Sequence, residues 1–148
     1  TPHYLFNGNS IKHMMEFGTI VIAAGGGGIP AYIKEDKGLR LVDGVIDKDM
    51  TSALLARIVK SEEFFIITDV HHVCLNYGSN DAKNIHKSTL KEMKVWLKEG
   101  HFKEGTMKPK IEAAIYFLEH HGEKVIITSI DNIENAIKGE SGTIIKKA

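Results

Sequence analysis

Three short apolar runs, rich in β-branched and aromatic residues, recur along the chain and are separated by segments with helical spacing. The runs cover residues 19–24, 64–68 and 124–128. Continuous apolar runs of this length are typical of strands that are buried on both faces of a parallel sheet. Because strands that alternate with helices form mostly parallel sheets covered on both faces, we predict an α/β fold, a three-layer αβα sandwich.

The segments between these runs carry helix signals. Asp49 and Thr106 are candidate N-caps, and apolar residues recur with helical spacing from Ile111 to Leu118. A short hairpin is predicted over residues 32–42, turning at Asp36-Lys37-Gly38, and a final strand over 143–145, whereas 73–85 reads as irregular. The predicted helices cover residues 9–17, 49–60, 89–98, 106–121 and 131–138.

The composition predicts one compact unit over residues 1–148, in the cytoplasm. Lys plus Arg and Asp plus Glu both number 19, so the charge balance offers no basic surface for nucleic acid. No apolar run approaches the ~20 residues that a membrane-spanning helix needs. One cysteine, Cys74, excludes an internal disulfide, fits a reducing compartment and is expected to be buried and structural. The first residue is Thr1 and not methionine, which fits a piece of something longer.

Loops that follow two of the predicted strands are candidate ligand sites. Gly25, Gly26, Gly27 and Gly28 follow the first strand, and Thr68-Asp69 ends the second. In open α/β sheets, ligands bind at the carboxyl ends of the strands, and successive glycines can turn their N–H groups towards an anion. A flexible connector is the alternative interpretation of the glycine run.

Two common phosphate motifs do not account for this glycine run. The chain contains no G-x-x-x-x-G-K-[ST] sequence, which excludes a P-loop. Gly26-x-Gly28-x-x-Ala31 matches the loose dinucleotide pattern, but that pattern must open a helix, and here Pro30 is followed by a predicted hairpin. The histidines also lack any metal-binding spacing, so we expect no protein-held metal.

Lysines near two helix starts are candidates for binding phosphate. Lys48 lies between two aspartates at the start of a predicted helix, and Lys110 lies in the first turn of another. Phosphoryl transfer depends on fixed cations that neutralise the charge of the phosphoryl group, which makes both lysines candidate catalytic residues. Solvated surface charges are the alternative interpretation, and of the lysines in its segment Lys108 is expected to be the solvated one.

Six segments, taken in order, resemble the carbamate kinases of the amino-acid-kinase family. They are AAGGGGIP at 23–30, DGVIDKD at 43–49, IITDV at 66–70, EGHFKEGTMKPK at 99–110, IITS at 126–129 and GT at 142–143. The resemblance covers almost the whole chain and implies the C-terminal, nucleotide-side half of the αβα fold. The activity implied is reversible phosphoryl transfer between ATP and carbamate.

The resemblance also implies residue roles. Lys48 and Lys110 would bind the phosphates, Asp49 would orient both lysines, and Gly25 to Gly28 would lie along the phosphoryl-acceptor site. ATP or ADP would carry Mg²⁺ through its phosphates, and carbamate or carbamoyl phosphate would be the other substrate. The nucleotide-binding residues would be Thr68, Asp69, Val70, Tyr77, Met107 and Lys110.

Two departures from the family pattern bear on these expectations. His71 and Cys74 stand where the family often has Asp and Tyr, which affects the adenine-side contacts. Family members are about twice as long, so we expect that the N-terminal half is absent and that the chain alone is inactive. The resemblance also implies that the whole enzyme is a homodimer and that it generates ATP in arginine catabolism. Another amino-acid kinase, such as an acetylglutamate kinase, and a non-catalytic nucleotide-binding module remain alternatives, although the Asp47-Lys48-Asp49 triplet favours carbamate kinase.

Overall fold

The computed structural model describes residues 2–35 and 38–148 of the chain. None of the helices in these ranges is both long and apolar enough to cross a bilayer. The α-helices are α1 (Gly8–Glu16), α2 (Lys48–Val59), α3 (Leu90–Glu99), α4 (Met107–Glu119) and α5 (Ile133–Ile137), the last preceded by a 3₁₀ turn at Ile130–Asn132. The strands are β1 (Ala31–Ile33), β2 (Leu39–Leu41), β3 (Glu63–Thr68), β4 (Val73–Leu75), β5 (Lys83–Ile85), β6 (Lys87–Thr89), β7 (Lys124–Ser129) and β8 (Thr143–Lys146).

The main sheet contains four strands in the order β3-β7-β8-β6. β3 pairs with β7 in parallel and β6 pairs with β8 in parallel, whereas β7 and β8 run antiparallel. Two of the three pairings are therefore parallel, and the predicted α/β class with a mostly parallel sheet is confirmed.

The core lies where α4 packs on the sheet. Successive residues of β7, from Val125 to Thr128, are all almost fully buried, so both faces of the sheet are covered at this strand. Phe117 of α4 is fully buried, and its ring lies 5.4 Å from that of Phe64 in β3. The predicted apolar stripe of α4, from Ile111 to Leu118, faces this core.

The predicted strand over residues 19–24 is wrong for this structure, which shows no strand there. The side chains of Ile20 and Ile22 are 95% and 100% exposed. A strand forms only where a neighbour accepts its backbone hydrogen bonds, and no described strand pairs with this segment. The apolar pattern alone could not reveal that the partner is missing from the described residues.

Smaller predictions also needed correction. Residues 73–85, expected to be irregular, contain the antiparallel pair β4–β5, and β6 follows at once. The N-cap of α2 is Asp47 and not Asp49, since the Asp47 side chain accepts hydrogen bonds from the first N–H groups of the helix. The hairpin β1–β2 is present, although Asp36 and Lys37 of its expected turn lie outside the described residues.

Candidate nucleotide and phosphate site

A cavity of about 370 Å³ opens between the carboxyl end of β3 and the amino end of α4. Strand ends of this kind are where α/β sheets bind ligands, and a helix N-terminus adds partial positive charge. Phe102 and Met107 contribute apolar surface, and Lys110 contributes a cation. All six residues expected to bind nucleotide line this cavity: Thr68, Asp69, Val70, Tyr77, Met107 and Lys110.

The amino end of α4 has no side-chain cap. The Thr106 side chain makes no capping hydrogen bond and instead donates to the carbonyl of Lys103. Thr106 thus occupies the predicted cap position without capping the helix. Lys108 points to Glu104, at 2.5 Å, and Lys110 points into the site. The N–H of Lys108 donates to the carbonyl of Lys103, and Pro109 has no N–H, so the first turn of α4 offers the cavity chiefly the Lys110 ammonium group and the partial positive charge of a helix N-terminus.

Asp49 joins two lysines that are 62 residues apart in the sequence (110 − 48). Its Oδ1 lies 3.2 Å from the Nζ of Lys48, and its Oδ2 lies 3.0 Å from the Nζ of Lys110. The side chains of Asp49 and Lys110 are only 11% and 14% exposed, whereas that of Lys48 is 52% exposed. Because each ammonium group has three N–H donors, both lysines keep donors for phosphate oxygens while the carboxylate fixes their direction.

The start of α2 fixes this carboxylate. Asp47 accepts hydrogen bonds from the backbone N–H groups of Asp49 and Met50, at 2.9 and 3.1 Å, and its carbonyl accepts one from Thr51 Oγ1. Asp49 is thus held in the first helical turn, where a negative charge is stabilised by the helix dipole.

The glycine run approaches the same helix start. Gly28 and Ile46 exchange two backbone hydrogen bonds, of 3.1 and 2.7 Å, which brings the run close to the segment that ends at Lys48. Gly27 has a φ of +91°, and a Cβ added there would lie 2.5 Å from the carbonyl oxygen of Ile46, so only glycine fits. Gly25 and Gly26 are exposed and have open space around their Cα atoms.

The loop after β3 is tied to the end of β7 by His71. Its Nδ1 lies 2.7 Å from the Oγ of Ser129 and 3.9 Å from a carboxylate oxygen of Asp131. The hydrogen bond from Ser129, together with the charge of His71, holds the pKa of the Asp131 carboxyl below its usual range. The residue that departs from the family's Asp therefore contacts the adjacent strand.

Cys74 and His72 also border the cavity, which corrects the expectation of a buried structural cysteine. Cys74 is half-buried and lies in the cavity wall. His72 packs edge-on against His86, with ring centroids 4.4 Å apart. Burial, followed by the charges of His86 and His71, lowers the pKa of His72, which favours a neutral imidazole at this wall.

No cluster of three or more His, Cys, Asp or Glu side chains within 2–35 and 38–148 is arranged to hold a metal ion. The cavity nevertheless fits a nucleotide by its chemistry, because an apolar wall leads to a lysine and a helix N-terminus. A metal ion carried by the phosphates needs no cage of protein side chains, since Mg²⁺ keeps several waters and uses substrate oxygens.

The sequence model of the amino acid kinase family matches residues 1–129. The chain belongs to the amino acid kinase family. Its fold and the placement of its cavity at the strand ends are in keeping with that assignment.

Within this family the chain is similar to carbamate kinases. It is 43% identical over 144 residues to the carbamate kinase of Thermoplasma acidophilum, covering 97% of this chain and 47% of the relative. It is 47% identical over 133 residues to that of Thermococcus kodakarensis, covering 90% of this chain and 42% of the relative. A solved structure of Giardia lamblia carbamate kinase bound to AMP-PNP superimposes with a TM-score of 0.92 at 38% identity, over 99% of this chain and 46% of that one. The chain thus spans slightly under half the length of these relatives.

Several cavity residues of this amino acid kinase chain had no role predicted from the sequence, among them His101 and Phe102. Both belong to the EGHF segment that supported the resemblance, but the pattern gave them no role. Their place directly after the glycine that ends α3, and shortly before α4, was the available signal, because loops that lead into a helix N-terminus often form ligand sites.

Proposed function

We propose that this chain is the nucleotide-side half of a carbamate kinase, which transfers a phosphoryl group reversibly between ATP and carbamate. The observation that carries the proposal is the pair of ion contacts from Asp49 to Lys48 and Lys110, at the edge of a cavity that fits a nucleotide. The similarity to carbamate kinases over nearly the whole chain supports the choice of carbamate as acceptor.

The two lysines would act on the phosphoryl group as it moves. A carbamate oxygen forms a bond to the γ-phosphorus while the bond to the oxygen of the leaving ADP breaks. Lys48 and Lys110 bind oxygens of the phosphates, and Asp49 keeps both ammonium groups in place before the substrates arrive. Such preorganised cations stabilise the charge of the transition state without reorganisation during the reaction.

Carbamate needs no general base, because it already carries an anionic oxygen. The glycine run would bind this acceptor, since Gly27 and Gly28 lie against Ile46 and leave backbone without side chains beside the first lysine. A bound Mg²⁺ would supply further positive charge on the nucleotide phosphates. Thr68, Asp69, Val70 and Tyr77 would contact the nucleotide from β3 and the segment that follows it, and Met107 from the first turn of α4.

The rest of the enzyme would come from an N-terminal half that this chain lacks. Residues 1–148 would form one unit, and the exposed isoleucines of the 19–24 segment give it apolar surface to be covered. The whole enzyme would be a homodimer in the cytoplasm, without nucleic-acid or membrane partners, and would make ATP during arginine breakdown.

The test is ATP formation from ADP and carbamoyl phosphate by the full-length polypeptide that carries this chain. ATP formation that requires both substrates supports the proposal. Phosphorylation of N-acetylglutamate but not of carbamate would replace it with the related kinase activity, and nucleotide binding without transfer would reduce it to a binding module. ATP synthesis by the isolated 148-residue chain would refute the proposal that the chain is only half of the catalytic unit.

A further inference from the structure

Two walls of the nucleotide cavity come from distant parts of the chain. One wall is formed by β4 and the turn after it, which carry Cys74 and Tyr77. The facing wall is the loop between α3 and α4, which carries Phe102 and leads to Lys110. The distance between these walls decides how closely a planar ligand can be held, so a contact that joins them can set the affinity of the site.

The His101 ring makes such a contact. Its Nδ1 lies 2.6 Å from Oδ1 of Asn76, the residue directly before Tyr77. Its Nε2 lies 3.2 Å from a carboxylate oxygen of Glu99, the last residue of α3. Both partner oxygens are acceptors, so the imidazole donates its Nδ1–H to Asn76, and Nε2 faces the Glu99 carboxylate. The side chain, only 24% exposed, cannot rotate without losing the hydrogen bond to Asn76.

The loop that carries His101 is firmly attached to the core. Gly100, with a φ of +82°, ends α3, and the N–H of His101 donates to the carbonyl of Trp96. The next side chain, Phe102, is 5% exposed and belongs to the main hydrophobic cluster. A buried aromatic anchor on one side and a helix end on the other hold the imidazole in place.

The turn that His101 holds has less support of its own. Tyr77 is 75% exposed, and the turn from Asn76 to Ala82 is closed by two backbone hydrogen bonds, from Ser79 and from Ala82. The backbone of Asn76 is in the left-handed region, with a φ of 52°. Local openings occur first where buried contacts are few, so this turn should open more readily than the loop between α3 and α4. The hydrogen bond between His101 and Asn76 links the turn to that loop.

We propose that His101 is a positioning residue, which fixes the width of the nucleotide cavity by holding Asn76 and thereby the Tyr77 wall. The inference rests on the proposed function in one respect, that the ligand of the cavity is ADP or ATP. Among residues 2–35 and 38–148, the hydrogen bonds of the His101 side chain go to Asn76 and Glu99 and not to Lys48, Lys110 or Asp49, so its effect falls on nucleotide affinity and not on the phosphoryl transfer itself.

Steady-state kinetics of the full-length polypeptide tests this role, with ADP and carbamoyl phosphate varied separately. His101→Ala is expected to raise the KM for ADP about five- to tenfold, the effect of losing one partly buried hydrogen bond. The KM for carbamoyl phosphate and kcat should stay within about twofold. His101→Asn, whose amide nitrogen takes nearly the place of the imidazole Nδ1, should restore most of the loss, and His13→Ala on the exposed helix α1 serves as the control.

A double-mutant cycle checks the pathway of the effect. Asn76→Gly removes the amide but keeps the left-handed backbone free of strain, so it should raise the KM for ADP as His101→Ala does. The two changes together should raise that KM no further than either alone. Additive effects, an unchanged KM for ADP in His101→Ala, or an equal rise in the KM of both substrates would overturn the inference.

Hydrogen exchange separates this inference from the proposed function. If the unmodified protein forms no ATP, the proposed function fails, but amide exchange of residues 74–79 still reports the tether. Faster exchange there in His101→Ala than in the unmodified protein and the His13→Ala control supports the positioning role. Equal exchange in all three proteins refutes it.

Discussion

Replacing Lys110 by alanine removes one of the two cations that Asp49 holds. Its side chain is 14% exposed, and its Nζ lies 3.0 Å from Asp49. The loss of one preorganised donor to a charged transition state typically costs about 10²- to 10³-fold in kcat. We expect a fall of this size in ATP formation from ADP and carbamoyl phosphate by the full-length polypeptide, measured with a coupled hexokinase assay.

The same change should lower stability by a smaller, separable amount. An exposed ion pair contributes about 0–1 kcal/mol, and breaking a buried pair costs about 3–5 kcal/mol. Asp49 keeps Lys48 as a partner, and the pair with Lys110 is mostly but not fully buried, so we expect a loss near 2 kcal/mol, between these limits. Urea unfolding of the variant measures this loss and shows whether the protein remains folded in the assay.

Lys108→Ala is the matched control. Lys108 lies two residues earlier in the same helical turn and pairs with Glu104, whose side chain is 82% exposed. This variant loses a similar side chain from α4 but none of the contacts of Asp49, so its activity should stay within about threefold and its stability within about 0.5 kcal/mol. The reasoning is refuted if a folded Lys110→Ala variant loses less than about tenfold in kcat, or if Lys108→Ala loses as much.

Three further predictions follow from individual contacts. Thr143→Val should lower the free energy of unfolding by about 1–3 kcal/mol in urea, because the fully buried hydroxyl accepts a hydrogen bond from a backbone N–H of β4 and donates one to a carbonyl of β5. An unchanged urea midpoint would contradict this. Gly27→Ala should abolish most activity, because its Cβ would meet the Ile46 carbonyl, and full activity would show that the run has room for a side chain. Hydrogen bonds from the backbone and side chain of Thr89, and from a neighbouring serine, lower the pKa of Glu92 in the folded protein below its usual value of 4.5. The Glu92 carboxylate therefore stabilises the fold above that value, and this stabilisation is lost as the pH falls through the folded pKa. The Tm advantage of the unmodified protein over Glu92→Gln should therefore shrink on acidification, and a constant difference would refute this explanation.

Local sequence patterns predicted the elements that are buried regularly along a whole strand or along one face of a helix. The β7 run is apolar throughout and is buried on both faces, and the α4 stripe faces the core, as periodicity indicates. A helix was predicted from residue 89, and in the structure Thr89 forms a capping box with Glu92 at the start of α3. These features depend on residues within one turn or one strand of each other, which is the range that sequence patterns can describe.

Features that join distant residues were harder to predict. β5 begins with Lys83-Asn84, which has no apolar alternation, and it becomes a strand because β4 pairs with it. The tie between His101 and Asn76 spans 25 residues and has no motif. Both lysines were candidates for binding phosphate because of their positions near helix starts, and the family resemblance alone implied that Asp49 orients them. The structure brings Asp49 within 3.2 Å of Lys48 and 3.0 Å of Lys110.

The 19–24 segment shows how one wrong prediction and the proposed function are connected. Its sequence has the β-branched, apolar character of a buried strand, yet Ile20 and Ile22 face solvent. Burying two isoleucine side chains contributes about 1.5–3 kcal/mol each, so a surface that covered them would be strongly favoured to pair with this segment. The segment leads directly into Gly25 and Gly26, two glycines at which an added Cβ would meet no other atom within 4 Å. Fixing residues 19–24 as a strand would therefore also fix the upstream end of the glycine run, whose downstream end is already held by Ile46. On this reasoning, the contact that buries the exposed isoleucines would also complete the acceptor side of the proposed site, and the chain alone should bind phosphate groups poorly at that side.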